Sequence, residues 1–446
     1  MIAVMRIEPA RRIRGRLRLP GDKSISHRAA IISALADGRS RIENFSTSRD
    51  CAATLECLRL LGVSIEQEGA SVRVEGVGLR GLRANAVLLD CGNSGSTMRM
   101  LAGVLAGQRF TSSLTGDDSL CSRPMRRIIE PLVLMGARIA STNGCAPLSI
   151  SGGKPLAGIT YEMPVASAQV KSCLLLAGLN ASGQTLVREM HGLTRDHTER
   201  MMRWFGIDLE TESGQRGDGA DIKSAVVRGG VHFAARDVSV PGDISSATFF
   251  IAAAALLPGS ELVLEDVGCN PTRSAILPVM TTLGARLRVD GLREECNEPL
   301  ASIHVSGATG PAARAQGGPL VLGGSIIPQL IDELPALAVV GTQVTDGLII
   351  RDAKELRVKE SDRIRTTVEN LRAMGAEVEE YEDGLFIAGR TRLRGARLNA
   401  HGDHRIAMAF TVAALAAEGD SELEGAESVG VSFPGFFELL ESVIER

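Results

Sequence analysis

A short phrase recurs along this chain: apolar, two residues, apolar, Gly, a small or apolar residue, then a strand-like tail. It reads LRLLGVSIE at 58–66, LVLMGARIA at 132–140, MRWFGIDLE at 202–210, MTTLGARLR at 280–288 and LRAMGAEVE at 371–379. Each copy predicts a helix ended by a C-cap glycine (Gly62, Gly136, Gly206, Gly284, Gly375) and followed by a strand. The terminal segment FFELLESVIE, 436–445, reads as a sixth helix cut off by the chain end. A second phrase runs in phase with the first: a polar, Gly/Ser-rich start, then an Ala/Leu-rich apolar helix. Its copies begin near 21 (GDKSISHRAAIISALA), 92 (GNSGSTMRMLAGVLAG), 166 (ASAQVKSCLLLAGL), 242 (GDISSATFFIAAAALL), 328 (PQLIDELPALAVV) and 402 (GDHRIAMAFTVAALAA). Two in-phase phrases over the whole length point to a repeat. The match of PGDKS at 20–24 with PGDIS at 241–245 points to a duplicated half of three units.

The second set of helices is apolar nearly all round, which predicts burial on every side. The Gly-capped set carries a polar face and should lie outside. Strand-like segments such as RIENFS, SVRVEGV and LVLEDV lie between them. The predicted architecture is α/β, with buried inner helices inside a shell of sheets. A chain of 446 residues exceeds what one core usually serves, so two domains are expected. Aromatic residues make up only 3 %, so Ala, Leu, Val and Ile must fill most of the interior.

A net charge of −4 argues against a nucleic-acid protein, which normally shows a basic face. A small anionic ligand is compatible with it, since a few cations in one cleft need not change the total. The eight cysteines form no C-x-x-C pair and none sits beside a His at zinc spacing, so buried reduced thiols are expected. The N-terminal stretch MIAVMRIEPARRIRGRL has no apolar core of an export signal, and the longest apolar run, 249–258, is too short to span a bilayer. The expected compartment is the cytoplasm.

The chemically loaded residues gather where the inner helices begin. Lys23, Ser24 and Arg28 open the first; Asn93, Gly95 and Thr97 the second, with Arg99 one turn in; Ser167, Gln169 and Lys171 the third. Asp332 and Glu333 lie at the fifth, and Asp403, His404 and Arg405 at the sixth. A helix N-terminus offers free N–H groups and partial positive charge, which suit phosphate and carboxylate. Arg and Lys there supply counter-charges. Singly each motif is weak. GDKS could be a turn with an N-cap Ser, GNSGST lacks the Lys of a P-loop, and RPMRR (123–127) could be a solvated helix start. His401-x-x-His404 has no third ligand beside it and reads as turn and cap.

Together, LPGDKSISHR (19–28), GNSGSTMR (92–99), SRPM (122–125), KESDRI (359–364), GDHRIAM (402–408) and SFPGFFELL (432–440) resemble one family, the 3-phosphoshikimate 1-carboxyvinyltransferases or EPSP synthases, across the whole chain. The resemblance implies two similar globular domains, each of three βαββαβ units, closing on substrate like a clamp. Residues 1–20 and 241–446 would form one and 21–240 the other, with crossovers at Pro20–Gly21 and Pro241–Gly242. It implies transfer of the enolpyruvyl group of phosphoenolpyruvate to the 5-hydroxyl of shikimate 3-phosphate, without metal or organic cofactor, by a monomer.

Residue by residue, the family pattern places shikimate 3-phosphate on Lys23, Ser24, Arg28, Ser167, Ala168, Gln169, Arg195, Asp332 and Lys359. It places phosphoenolpyruvate on Lys23, Gly95, Arg123, Gln169, Arg363 and Arg405. Asp332 would be the base at the accepting hydroxyl, Glu360 would handle the proton at the methylene carbon, and Lys23 would touch both substrates. GDKS (21–24), SAQVK (167–171), RDHTE (195–199) and NPTR (270–273) resemble the family's second class. Position 95 is Gly where the strongly glyphosate-tolerant members carry Ala, and position 431 is Val where the other class has a Lys. The nearest rival is the sister transferase acting on UDP-N-acetylglucosamine, which opens with Lys-Asn where this chain has Lys23-Ser24. A rival from another class is a non-catalytic RNA-end-binding protein with the same repeat. It is disfavoured by the acidic balance and the scarcity of aromatics for base stacking.

Overall fold

The computed structural model describes residues 4–83, 88–215, 221–307 and 317–446. They form two compact bodies, each with its own hydrophobic core. One holds the chain up to Leu19, Pro241–Arg293 and Pro299–Arg446; the other holds Pro20–Val240 with Glu294–Glu298.

The Pro20–Val240 body contains three four-stranded sheets of one topology. In order they are Val238–Ser239, Asp37–Glu43, Ser71–Val77, Ser64–Glu68; then Leu88–Asp90, Ser112–Thr115, Cys145–Ser151, Arg138–Thr142; then Thr160–Met163, Gln184–Glu189, Asp221–Arg228, Leu209–Gln215. The first pair in each is parallel and the other two are antiparallel. The first sheet borrows its opening strand from Val238–Ser239, so the chain's last strand here closes the set on its first. A repeat therefore has four strands and two helices, the content of the expected unit, in the order βαβαββ.

The inner helices Lys23–Leu35, Gly95–Ala106 and Ala168–Gly178 are buried over nearly their whole length. The second and third pack without room between them: a Cβ on Gly103 would lie 2.1 Å from the Cys173 carbonyl oxygen. The outer helices Arg49–Leu60, Arg126–Leu134 and His197–Trp204 bury one face.

The other body repeats the plan. Its sheets are Arg12–Arg18, Glu261–Gly268, Glu298–Ser306, Arg286–Glu295 and Leu320–Leu322, Leu348–Ile350, Gly384–Ile387, Val378–Tyr381. In the third sheet Ser421–Glu424 is the central strand, pairing with Arg397–Asn399 on one side and with Val4–Ile7 from the start of the chain on the other. Its inner helices are Ile244–Leu256, Leu334–Gly341 and His404–Leu415. Four of the aromatics form one cluster, Phe436 meeting Phe249, Phe250 and Phe433, and Phe250 meeting Phe433, in tilted and edge-to-face contact.

All five repeat glycines have positive φ, from 79° to 102°. Each follows the same two-bond cap. Gly62 N–H donates to the Arg59 carbonyl at 2.9 Å and Val63 N–H to Leu58 at 3.1 Å, and the pattern recurs at Gly136, Gly206, Gly284 and Gly375. A left-handed residue there satisfies two orphan carbonyls and turns the chain into the next strand.

The sixth copy departs from expectation. The helix covers only Phe436–Glu441, and Ile444–Glu445 instead pairs with Arg12–Ile13. The open edge of the Arg12–Arg18 strand supplies backbone partners that a longer helix would forgo. The basic run at the N-terminus is also accounted for: Arg12, Arg14, Arg16 and Arg18 project from one strand face onto Glu445, Glu261, Glu265 and Asp266. A further correction concerns Glu294–Glu298, expected with 241–446. This hairpin tip groups with the Pro20–Val240 body, where Glu298 meets His197 at 2.8 Å and the Asn297 carbonyl accepts from Arg200 at 2.9 Å. Of the eight thiols, all unbridged, Cys51, Cys57, Cys91 and Cys173 are buried as expected; Cys121, Cys145, Cys269 and Cys296 are only half-buried. Burial pushes Cys51 and Cys173 up to about 12.

Candidate active site

Five inner helices are capped by a polar side chain at the start of the helix. Asp22, Ser94, Ser167, Asp243 and Asp403 accept from the N–H groups of Ile25, Thr97, Val170, Ser245 and Arg405. The cap of the first helix is thus Asp22, which leaves Ser24 inside the first turn. The fifth start is different. The chain bends between Ile327–Leu330 and Leu334–Gly341, and Glu333 makes no cap bond there.

In the Pro20–Val240 body, Lys23 Nζ lies 2.8 Å from Asp50 Oδ2. Arg28 is buried, and its fork is fully directed. Nε donates to Thr198 Oγ1, Nη2 to Ser172 Oγ and Nη1 to the Ser24 carbonyl, each at 2.7 Å. Burial lowers its pKa to about 10, with Glu199 acting the other way. Arg195 donates to Ser24 Oγ at 3.3 Å. Gln169, in the first turn of the third inner helix, is oriented from both sides by Arg99 Nη1 and Ser96 Oγ. Ser167 caps that helix and Ala168 opens it.

Arg123 is 8 % exposed, unlike the solvated residue a plain helix start would give. Its Nη2 donates to Asn93 Oδ1 at 2.6 Å and Ser119 Oγ at 3.0 Å. Asn93 is fixed in turn by Asp117 at 2.8 Å. A Cβ on Gly95 would lie 2.6 Å from Arg99 Nη1 and 3.7 Å from Arg123 Nη1, so Gly95 sits against both guanidinium groups. Behind these residues His27 shares a 2.7 Å hydrogen bond with Thr54, and Thr54 a 2.6 Å bond with Thr97. Burial, then Lys23 and Arg28, hold the His27 imidazole well below its usual pKa.

Lys171 does not belong with these cations. It is turned inward, 1 % exposed, 2.7 Å from Glu199 and 3.0 Å from Glu189.

The second group lies in the other body. Arg363, 1 % exposed, meets Glu360 at 2.6 Å, Asp332 at 3.4 Å and Asp403 at 2.8 Å. Burial pulls its pKa down, but Asp403, Glu360 and Asp332 outweigh that and the net shift is upward. Arg405 lies 3.9 Å from Asp332 and 3.7 Å from Glu333. Lys359 pairs loosely with Glu355 at 3.4 Å. His401 and His404 flank the cap Asp403, His401 exposed in the turn and His404 buried. Each guanidinium here is held by carboxylates, because a buried charge is costly without a partner.

Sequence reasoning names neither Arg273 nor Thr198 as a site residue. Arg273 meets Glu333 at 2.9 Å, and Thr198 receives Arg28. Both lie in motifs, NPTR and RDHTE, whose only signal in the sequence is one of class.

A family model described as EPSP synthase (3-phosphoshikimate 1-carboxyvinyltransferase) matches residues 7–440. The chain belongs to the EPSP synthase family. Relatives named 3-phosphoshikimate 1-carboxyvinyltransferase include those of Solibacter usitatus, 50 % identical over 99 % of each chain, and Desulfitobacterium hafniense, 48 % identical over 99 % of this chain and 98 % of the other. A solved EPSP synthase structure from Acinetobacter baumannii superposes with a TM-score of 0.85 at 42 % identity, covering 99 % of this chain and 98 % of that one. The enolpyruvyl transferase NikO from Streptomyces tendae shares the fold, with a TM-score of 0.79 at 18 % identity over 99 % and 97 % of the two chains. The EPSP synthase family thus accounts for the sixfold repeat.

Proposed function

We propose that this chain transfers the enolpyruvyl group of phosphoenolpyruvate to the 5-hydroxyl of shikimate 3-phosphate and releases phosphate. The hydroxyl oxygen bonds to C2 of the enol while C3 gains a proton, giving a tetrahedral ketal phosphate. The C2–O bond to phosphate then breaks as the new methyl group returns a proton. Oxidation states do not change, so two proton-handling groups and a set of anion-holding cations suffice. Asp332 is the base at the hydroxyl and Glu360 serves C3. Lys23, Ser24, Arg28, Ser167, Ala168, Gln169, Arg195 and Lys359 hold shikimate 3-phosphate. Lys23, Gly95, Arg123, Gln169, Arg363 and Arg405 hold phosphoenolpyruvate.

The observation that carries this reading is the Arg363 guanidinium, which reaches Asp332 with one nitrogen and Glu360 with the other. One cation thereby orients both carboxylates that the chemistry requires. In this reading the residues assigned to each substrate are drawn from both bodies.

Free thiols throughout favour a reducing compartment, and the cytoplasm is proposed on that ground. Among the described residues no single helix is long and apolar enough to cross a membrane. The pairing of the N-terminal arginines with acidic neighbours removes the basic run an RNA-binding reading would need. A monomer is proposed.

Incubating the protein with phosphoenolpyruvate and shikimate 3-phosphate should release one phosphate per acceptor consumed. Release with UDP-N-acetylglucosamine instead would assign the chain to the sister activity.

A further inference from the structure

The bent start of the fifth inner helix has an unusual feature. Glu333 stands at the cap position, yet its carboxylate is turned away from the helix N–H groups. It is 1 % exposed and points at Arg273, with Oε2 2.9 Å from Nη1, while Oε1 accepts from Ser245 Oγ and lies 3.7 Å from Arg405. Arg273 is itself 2 % exposed, and its second terminal nitrogen lies 3.9 Å from Asp332 Oδ2. The loop that presents it is held by its own hydrogen bonds. Asn270 Oδ1 accepts from the Thr272 N–H and Oγ1 at 2.9 and 2.8 Å, and the Asn270 carbonyl accepts from the Arg273 N–H at 2.8 Å.

A buried guanidinium, a buried carboxylate and a helix left without a side-chain cap are each unfavourable alone. Here they coincide at the residue next to the proposed base. A cap bond from Glu333 would satisfy its own helix; directing it to Arg273 instead fixes the Ile331–Glu333 bend, and so the direction of Asp332. The charged and titratable groups facing Asp332 are Arg273, Arg363 and Arg405, with Glu333, Glu360 and Asp403 behind them.

We propose that Arg273 is a positioning residue for the transfer reaction, aiming the Asp332 carboxylate through its grip on Glu333 and keeping it ionised by its own nearby charge. This rests on the reading of Asp332 as base. Arg273 has no contact with substrate in this role. Its effect is to fix the bend and to supply positive charge beside the base.

Two variants separate charge from geometry. R273K keeps the charge but not the fork. Its kcat should fall about 10-fold, with the acidic limb of kcat/KM left in place. R273M removes both. Its kcat should fall about 100-fold or more, and the acidic limb should move up by about one pH unit, since an opposite charge at this range favours the ionised carboxylate. KM for shikimate 3-phosphate should change far less than kcat in both. An R273M protein with wild-type kcat and an unmoved limb would overturn the proposal. So would a loss in which R273K and R273M fall equally, with lowered melting temperatures and no movement of the limb, since that marks Arg273 as structural only. If R273M does not fold, wild-type kcat in R273K overturns the proposal by itself. The underlying reading has its own control: D332N should abolish turnover, and an active D332N would sink the base assignment itself, whatever the Arg273 variants do.

Discussion

Lys171 stands in sequence among the cations at the third inner helix, but its ammonium is held between Glu189 and Glu199 in the core. Burial lowers its pKa and the two carboxylates more than restore it, leaving it raised. Its contribution to stability is therefore complete at neutral pH and is lost only as pH rises through that raised value. K171M should cost about 3–5 kcal/mol in denaturant unfolding, because two buried carboxylates lose their partner. His27 has the opposite sign. Its folded-state pKa is depressed by burial and by Lys23 and Arg28, so the unfolded chain takes up a proton first as pH falls. Below about pH 6.5 the wild type should lose up to about 1.4 kcal/mol per pH unit from this group, and H27N should remove that slope from the pH dependence of unfolding. At Gly95 an added methyl meets the tip of Arg99, which is flexible enough to move but would then release Gln169. Gly95→Ala should fold normally and raise KM for phosphoenolpyruvate about 10-fold, the cost of one charged hydrogen bond.

The Gly-capped helices are legible in the sequence because their signal is local: a left-handed residue after an apolar turn is a backbone requirement that few residues but glycine meet. Gly375 is the cleanest test, with φ +89° and open space around its missing Cβ. Gly375→Ala should cost about 1 kcal/mol in thermal or denaturant unfolding through conformation alone, and Gly375→Asn less. The inner helix starts are legible for the same reason, but their caps are not: the sequence offers Ser24 as the cap of the first, and Asp22 holds that place. Pairing across long separations leaves no such mark. Arg273 and Glu333 are 60 residues apart, and Arg28 and Thr198 are 170 apart. No periodicity links such positions; only the fold brings them together. The same limit hides the true role of Lys171: its place in the first turn is plain from the sequence, but the direction of its side chain depends on two other elements. The shortness of the final helix is hidden too, because the strand edge at Arg12–Ile13 lies at the far end of the chain.

At the scale of the molecule, three repeats in each body close on themselves through distant strands. Val238–Ser239 completes the first sheet of one body, and Val4–Ile7 completes the third sheet of the other. This arrangement puts the inner helix starts of each body in one group, and the residues assigned to shikimate 3-phosphate are divided between the bodies: Lys23, Ser24, Arg28, Ser167, Ala168, Gln169 and Arg195 from one, Asp332 and Lys359 from the other. Neither half alone supplies the full set of contacts. Calorimetric titration of shikimate 3-phosphate into the wild type and into R195M and K359M, one variant from each body, tests this most directly. Binding about 10-fold weaker or more in both folded variants is the expected result, the loss of one charged hydrogen bond in each. Wild-type affinity in both variants would contradict the account.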